Sequence, residues 1–300
     1  MLLDKFLSTL DANSIIYLKN APLLNLNSFR LDSYAKVLVY PETKEELCYV
    51  IEQIIRYNLK YFVLGNGTNV VFLDKNYDGI IVSTRNLNRI KVLGETIEAE
   101  CGALATKLSS VALESSLAGL EFCYGLPGSV GGAVYMNASA YGSQISDIVF
   151  KTQYFNLSKN KVYEIYQNEH KFSAKKSIFQ DNKGLILSST FKLKKGQYID
   201  INNKMNELIT KRKSTQPLNL PSAGSVFKRP LSNYASKLID EAGLKGKRVG
   251  DAQVSIKHAG FIVNLGRATG KDILRLTQII KAEVKLKFNI ELEEEIIFVK

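Results

Sequence analysis

Glycine and other small residues crowd one segment of this 300-residue chain, from Gly119 to Gly142 (GLEFCYGLPGSVGGAVYMNASAYG). Because glycine has no side chain, such a segment lets the backbone approach a ligand closely. Successive N–H groups in a glycine-rich loop bind anions such as phosphate. We expect apolar walls for a bound ring system from four side chains: Leu126, Val130, Val134 and Met136. The alternative is a cluster of tight turns with a structural role only.

A second candidate loop is LGNGTNVVFLD, from Leu64 to Asp74. It is not a Walker loop, since no Gly-Lys-Ser/Thr follows, and it lacks the third glycine of a dinucleotide fingerprint. Its consecutive N–H groups, with the Thr68 hydroxyl and the Asn69 amide, nevertheless suit a diphosphate. A plain turn between two strands is the alternative interpretation.

Hydrophobic periodicity indicates the elements that carry these loops. Thr43, followed three residues later by Glu46, predicts a capped helix over 43–58, and the strand YFVL follows it at 61–64. A strand, helix, strand unit of this kind is typical of a sheet covered by helices. Residues 20–33 are expected to form a loop. Further helices are predicted at 3–12, 103–116, 201–213, 234–242 and 269–288, and further strands at 36–40, 79–83, 89–93, 96–100, 148–157, 161–167, 184–193, 259–265 and the end of the chain.

Composition indicates a soluble globular protein, with 45% hydrophobic and 23% charged residues. No apolar run is long enough for a membrane helix, and Asp4 and Lys5 interrupt what a signal peptide would need, so a cytoplasmic location without membrane contact is expected. The formal charge of +11 comes mainly from scattered lysines, which favours a solvated surface over nucleic-acid binding.

Three distant cysteines, Cys48, Cys101 and Cys123, support neither disulfides nor a metal site, so reduced thiols are expected.

Five motifs in order resemble those of the UDP-N-acetylenolpyruvoylglucosamine reductase family: Asn27-Ser28-Phe29, LGNGTNVVFLD, GLPGSVGG with Asn137 behind it, PSAGSVFK and KHAGFIVN. The resemblance covers nearly the whole chain and is closest to the shorter, type II-like form. It implies an α+β fold, with a two-subdomain FAD-binding domain of the vanillyl-alcohol-oxidase (PCMH) type and an α/β substrate-binding domain. The implied boundaries are 1–90 and 91–195 for the two FAD-binding subdomains, and 196–300 for the substrate domain with a C-terminal catalytic strand.

The resemblance also implies an activity. The family passes a hydride from NADPH to FAD and then to the enolpyruvyl ether of UDP-N-acetylglucosamine, which gives UDP-N-acetylmuramate for peptidoglycan synthesis. The implied partners are the UDP-sugar and NADPH, with no nucleic acid, and the chain is expected to be a monomer. An alcohol or sugar oxidase on the same flavin-binding fold is the alternative. A histidine or cysteine for covalent flavin attachment near the first loop would favour it, and none lies between Leu64 and Asp74.

Site residues follow from the same resemblance. Ser225 matches the proton donor, and Glu295 matches the C-terminal glutamate that acts on the developing enolate. The residues expected to bind FAD are Leu64, Gly65, Asn66, Gly67, Thr68, Asn69, Gly125, Pro127, Gly128, Ser129, Gly131, Gly132 and Asn137. Substrate binding is expected from Arg212, Lys228 and His258. His258 and Asn264 are expected either to line the flavin or to complete a buried turn.

The chain departs from the family where FxYRxS is usual. Residues 172–177 read FSAKKS, so Lys175 stands at the arginine position and is expected to act as the third catalytic residue. Lysine keeps the charge but lacks the two parallel donors with which arginine binds a carboxylate. A solvent-facing Lys175, with Lys176 or Arg212 in its role, is the alternative. Arg229 stands where asparagine is usual, which puts a nucleotide contact there in doubt.

Overall fold

A computed structural model describes residues 2–181, 184–231 and 233–300. The helices are α1 (Leu2–Ala12), α2 (Lys44–Arg56), α3 (Ala105–Glu114), α4 (Val130–Tyr135), α5 (Tyr198–Thr215), α6 (Ala235–Glu241) and α7 (Gly270–Phe288). The strands of the first hundred residues are β1 (Ile16–Pro22), β2 (Tyr34–Tyr40), β3 (Tyr61–Leu64), β4 (Val70–Phe72), β5 (Asn76–Ser83), β6 (Ile90–Leu93) and β7 (Thr96–Glu100). The remaining strands are β8 (Leu117–Ala118), β9 (Ser139–Ala140), β10 (Ser143–Gln144), β11 (Val149–Asn156), β12 (Lys161–Tyr166), β13 (Leu185–Lys192), β14 (Lys194–Lys195), β15 (Arg248–Val249), β16 (Ala252–Val254), β17 (Ile262–Asn264) and β18 (Ile297–Val299).

The chain forms two compact units, and each is discontinuous in sequence. The first contains residues 1–18, 37–66 and 79–211, and the second contains residues 19–36, 67–78 and 212–300. Four of their boundaries fall inside β1, β2, β5 and α5, and the fifth falls between residues 66 and 67, in the turn between β3 and β4. This division differs from the one expected from the sequence, because short segments near residues 30 and 70 group with the C-terminal residues. The separation of the first 195 residues into two FAD-binding subdomains stays a prediction.

The first unit contains an antiparallel five-stranded sheet with the order β12-β11-β13-β7-β6. A four-stranded sheet has the order β1-β2-β5-β3, in which β3 and β5 run parallel. One core fills this unit, and α2 contributes Leu47, Val50, Ile51 and Ile54 to it. These four side chains recur at helical spacing, so their burial explains why the amphipathic segment folds as a helix.

The second unit has its own core, formed mainly by residues 223–296 with Phe29, Leu31 and Val71. Its sheet β15-β16-β17 is antiparallel, and β18 pairs with β4 in parallel. Helix α7 starts with a capping box, in which Thr269 Oγ1 accepts from the N–H of Asp272 and the Asp272 carboxylate accepts from the N–H of Thr269. The cap fixes the residue at which α7 begins. Helix α7 contributes buried side chains, such as Ile273 and Leu276, to the core of the second unit.

Most predicted elements are confirmed within two or three residues, including α2 with its Thr43 cap and the β11–β12 hairpin. One prediction was wrong. Residues 20–22, expected in a loop, end strand β1, whose side chains are largely exposed and so lack an apolar alternation. The strand predicted at 259–265 is confirmed as β17, Ile262–Asn264, which follows a turn in which the N–H of Phe261 donates to the His258 carbonyl oxygen. Among the described residues, no helix is long and apolar enough to cross a membrane.

Candidate active site

Residues 64–66, where the first glycine-rich segment begins, lie beside the central glycine-rich segment in the first unit. The side-chain amide of Asn66 donates to the carbonyl oxygen of Pro127. A Cβ added at Gly65 would lie 2.3 Å from Ser129 Oγ. Since real Cβ atoms essentially never approach an oxygen so closely, any larger residue at 65 would force the Ser129 hydroxyl to move. The structure thus brings together two loops that the sequence separates by about sixty residues.

The turn after β3 also presents backbone donors. Within the described chain, the N–H groups of residues 66–69 donate to no protein acceptor. Gly67 has φ +68°, and a Cβ there would lie 1.9 Å from the Leu26 carbonyl oxygen, so both its conformation and its surroundings demand glycine. A row of uncommitted N–H groups in a glycine turn is a concave donor site for a diphosphate. The residues present therefore fit the pyrophosphate of FAD.

The central glycine segment contains the short helix α4, whose N-cap Ser129 accepts from the N–H of Gly132 at 3.3 Å. The N–H of Gly131 donates to the Cys101 carbonyl oxygen, so that group is committed to the protein. Val130 and Val134 are fully buried in the core of the first unit, so the expectation that they line a bound ring was wrong. The six-residue helix buries Val130, Ala133 and Val134, and the loop interpretation did not include a helix at this position.

Asn137 is buried at the end of this segment and makes only protein contacts among those described. Its side-chain amide donates to the Ser173 carbonyl oxygen at 3.1 Å, and its Oδ1 accepts from the N–H of Ser146 at 3.0 Å. It has φ +41°, which asparagine tolerates better than most residues. These contacts account for asparagine at this position, and its contact with FAD stays a prediction.

Lys175 lies in a tight turn closed by two hydrogen bonds between Ser173 and Lys176. It has φ +59°, a left-handed conformation that is uncommon for lysine. Gln180 fastens the turn, since its Nε2 donates to the carbonyl oxygens of Lys175 at 2.8 Å and Tyr135 at 2.9 Å. The Ser177 hydroxyl also donates to the Tyr135 carbonyl, at 2.8 Å. The Lys175 turn is thereby attached to the end of the central glycine segment.

Gln180 and Tyr135 could not be recognised from the sequence. A lone glutamine directly after an apolar pair carries no signal in one sequence, and the contact at Tyr135 uses only its backbone. The serine of the FxYRxS pattern, Ser177, was the nearest signal available.

Ser225 and Glu295 lie on adjacent extended segments of the second unit. The N–H of Glu295 donates to the Val226 carbonyl oxygen at 2.7 Å, and the N–H of Ile296 reaches the same oxygen at 3.4 Å. Two successive N–H groups on one carbonyl are the pattern of a β-bulge, which changes the direction of a side chain. On its other side the Ser225 segment pairs with Phe261. The side chain of Ser225 is exposed and that of Glu295 is partly buried.

A glycine turn precedes Ser225, and two ion pairs lie next to Glu295 in the sequence. Gly224 has φ +74°, so the turn that presents Ser225 favours glycine. Glu293 forms an ion pair with Lys228, and Glu294 forms one with Lys281 at 2.9 Å. The first two carboxylates of the triple thus bind lysines, and Lys228, expected to contact substrate, has Glu293 as a partner.

The other residues expected at the substrate lie in the same unit. Arg212 is buried near the end of α5, and its guanidinium donates to Gln216 Oε1 at 3.4 Å. His258 Nδ1 accepts from the N–H of Gly260 at 3.2 Å, and burial lowers the pKa of its imidazole. His258 also lines a cavity with Tyr234, Lys237, Lys245 and Lys257. Asn264 completes a buried turn, since its Oδ1 accepts from the N–H groups of Gly266 and Ala268.

The thiols do not add to this chemistry. Burial raises the pKa of Cys101 to about 12 and that of Cys48 to about 11, so both are protonated near neutrality. All three cysteines are free thiols. In the part of the chain that the structure describes, no cluster of three metal-ligating side chains occurs.

Comparison with known proteins covers both units. Residues 35–164 match the FAD binding domain family, and residues 216–299 match the family described as UDP-N-acetylenolpyruvoylglucosamine reductase, C-terminal domain. The chain is 43% identical over 293 residues to the UDP-N-acetylenolpyruvoylglucosamine reductase of Clostridium novyi, which covers 97% of this chain and 94% of the relative. It is 45% identical over 276 residues to the enzyme of the same name from Pseudothermotoga lettingae, covering 92% and 95%.

A solved structure gives the same result. The crystal structure of UDP-N-acetylenolpyruvylglucosamine reductase (MurB) from Thermus caldophilus superposes with a TM-score of 0.80 at 31% identity, over 95% of this chain and 99% of that one. The predicted α+β fold class, the resemblance and FAD as cofactor are confirmed by these similarities. The chain therefore belongs to the UDP-N-acetylenolpyruvoylglucosamine reductase family, whose members are flavin-dependent oxidoreductases that use NADPH.

Proposed function

We propose that this protein reduces the enolpyruvyl ether of UDP-N-acetylglucosamine to UDP-N-acetylmuramate, with NADPH as the reductant and FAD as the carrier. The observation that carries the proposal is the pairing of the Ser225 segment with the Glu295 segment, which fixes a hydroxyl and a carboxylate on neighbouring strands of the second unit. Family membership supplies the substrate class. The product is a precursor of peptidoglycan, and a cytoplasmic monomer that acts on small molecules fits this role.

FAD, when bound, accepts a hydride from NADPH and delivers it to the substrate double bond. Backbone N–H groups of the 64–69 turn would hold its pyrophosphate, and the segment from Gly125 to Gly132 would hold the ribityl and flavin side. This assignment rests on the donors left available at residues 66–69 and on the contact between Asn66 and Pro127.

Hydride addition at the vinyl carbon places negative charge on the neighbouring carbon, which bears the carboxylate. That carbon needs a proton and its developing enolate needs a positive partner. In our proposal Ser225 gives the proton and regains one from solvent, while Glu295 orients the reacting carbon. Serine is a very weak acid, so its transfer depends on exact placement, and the positive φ of Gly224 and the flanking strands provide it.

We assign the cation at the enolate to Lys175. Its turn is attached through Gln180 to the end of the central glycine segment, so its position is tied to the segment expected to hold the flavin. Arg212, Lys228 and His258 are proposed to contact the substrate, whose carboxylate and diphosphate match their positive or polar groups.

The proposal is tested by an anaerobic visible spectrum of the purified protein. NADPH should bleach the oxidised flavin bands, and the enolpyruvyl sugar nucleotide should restore them with formation of one equivalent of UDP-N-acetylmuramate. Restoration by oxygen alone, or reduction by an alcohol or free sugar, would favour an oxidase on the same fold. A colourless protein that binds no added FAD would contradict both functions.

A further inference from the structure

Asn69 makes two contacts with the segment that carries Glu295. Its side-chain Nδ2 donates to the Glu295 carbonyl oxygen at 2.9 Å, and its own carbonyl accepts from the N–H of Ile297 at 2.9 Å. The strands then continue together, since Val70 pairs with Ile297. Asn69 thus fixes the point where the C-terminal segment joins β4.

Both backbone polar groups of Glu295 are therefore occupied by other segments. Its N–H donates to Val226 beside Ser225, and its C=O accepts from Asn69 at the end of the glycine turn. A residue in a β-bulge lacks the regular ladder of hydrogen bonds, so these two bonds hold the backbone from which its carboxylate projects. Removal of either bond should let the bulge relax and displace the side chain.

The turn that contains Asn69 directs its backbone N–H groups to a different partner from its side-chain amide, and we assign that partner to be the diphosphate. The backbone N–H of Asn69 is among those with no protein acceptor in the described chain, whereas its side-chain amide is committed to Glu295. A diphosphate bound by the backbone is compatible with the amide contact. Asn66, three residues earlier, uses its amide differently and donates to Pro127 in the central glycine segment.

We propose that Asn69 is a positioning residue for Glu295, which joins the diphosphate-binding turn to the carboxylate that acts on the substrate. The inference rests on the proposed function. It separates two asparagines that the sequence groups as cofactor ligands: the side chain of Asn66 holds the flavin-binding loops together, and that of Asn69 serves the later step of the reaction.

The test separates the half-reactions in Asn69→Leu, which keeps the approximate size of the side chain without adding charge but removes the donor, and in Asn69→Ala. FAD affinity is measured by recovery of flavin fluorescence, reduction by anaerobic mixing with NADPH, and reoxidation by mixing the reduced holoenzyme with the enolpyruvyl sugar nucleotide. We expect FAD affinity and the reduction rate to change less than about threefold. We expect reoxidation to slow about 10- to 100-fold, since a displacement of about 1 Å costs roughly that factor.

Asn66→Leu is the matched control, with the same chemical change in the same turn. It should weaken FAD binding at least about tenfold, because the Asn66 contact with Pro127 is lost, while the fraction that retains FAD reoxidises within about threefold of the wild-type rate. The solvent deuterium isotope effect on reoxidation should rise in Asn69→Leu only, because proton transfer becomes slower there. Asn69 variants that lose FAD affinity but reoxidise normally when loaded would overturn the inference. Failure of the wild-type protein to reoxidise with this substrate would instead contradict the proposed function.

Discussion

The N–H of Glu295 donates to the carbonyl oxygen of Val226 at 2.7 Å, so the residue after Ser225 is hydrogen bonded to the carboxylate-bearing residue itself. This backbone bond joins two segments, about 70 residues apart in the sequence, that each carry a group suited to proton chemistry. This contact makes the second half of the reaction the step to test first.

Ser225→Ala should leave flavin reduction by NADPH intact and slow reoxidation by the enolpyruvyl substrate about 10²- to 10⁴-fold, the usual contribution of a positioned general acid. Stopped-flow spectra of the two half-reactions measure both rates. Ser222→Ala, in the same loop, is the control and should change neither rate by more than about twofold. A normal reoxidation rate in Ser225→Ala would remove this residue from the mechanism.

Lys175→Met should raise the KM for the sugar nucleotide and lower kcat, because the enolate and its carboxylate lose a cation. Lys175→Arg should retain most activity, since arginine keeps the charge and adds a second donor. Lys176→Met is the control, because its side chain already pairs with Asp181 at 3.0 Å on the surface. Steady-state kinetics in which Lys176→Met is impaired and Lys175→Met is not would reassign the role to Lys176.

Gly65→Ala should weaken FAD binding and lower the free energy of unfolding, because the new methyl group meets Ser129 Oγ. The hydroxyl could turn away only by giving up its cap on Gly132, a loss of about 1 kcal/mol. Ser129→Ala should cost a similar amount by itself. The double variant should therefore be less destabilised than the sum of the two, and additivity in a denaturant titration would show that the two residues do not interact.

Stability should fall as the pH falls below about 6.5. His170 is fully buried, its Nδ1 lies 2.9 Å from the Gln167 carbonyl and its Nε2 lies 2.8 Å from Thr152 Oγ1. Burial lowers the pKa of this imidazole below its usual value, so the unfolded chain binds the proton more tightly. The stabilisation is complete above the unfolded pKa and is lost as the pH falls through it towards the folded pKa.

Thermal unfolding of the wild-type protein and of His170→Gln between pH 8 and pH 5 measures this effect. The variant should show a smaller decrease in Tm across the range, even if it is less stable at every pH. His258→Gln provides a comparison, since burial also lowers the pKa of that imidazole. Equal pH dependence in wild type and His170→Gln would contradict the prediction.

Sequence patterns predicted the local elements well, because capping and periodicity act over a few residues. The Thr43 cap and the amphipathic α2 are examples, since each depends on side chains within one or two turns. Local patterns could not predict that Val130 and Val134 face the core, because a six-residue helix among glycines has no measurable period. They also missed β1, which is held by its neighbour in the sheet rather than by an apolar face.

The candidate site was predicted mainly from motifs that resemble those of a known family, and less from physical arguments about individual residues. Glycines 65 and 67 were singled out by the motif as part of a ligand loop, which stays a prediction, and the structure adds for Gly65 a close approach to Ser129 Oγ that only the fold creates. Gln180 and the side-chain contact of Asn69 were not foreseen, since each depends on a carbonyl oxygen contributed by another part of the chain. Every residue has a backbone carbonyl, so the identity of the accepting residue does not reveal such a contact in a single sequence.

The pairing of β18 with β4 has a consequence for how the protein reaches its native state. Asn69 and Glu295 are 226 residues apart, and a parallel contact at that separation is among the slowest to form, since the intervening chain must first be ordered. Until the C-terminal strand arrives, β4 offers its neighbours an unpaired edge, the feature through which partly folded chains aggregate. We therefore expect the pairing of β18 with β4, which completes the second unit, to be a late step of folding. It is also the step at which chaperones should most reduce aggregation.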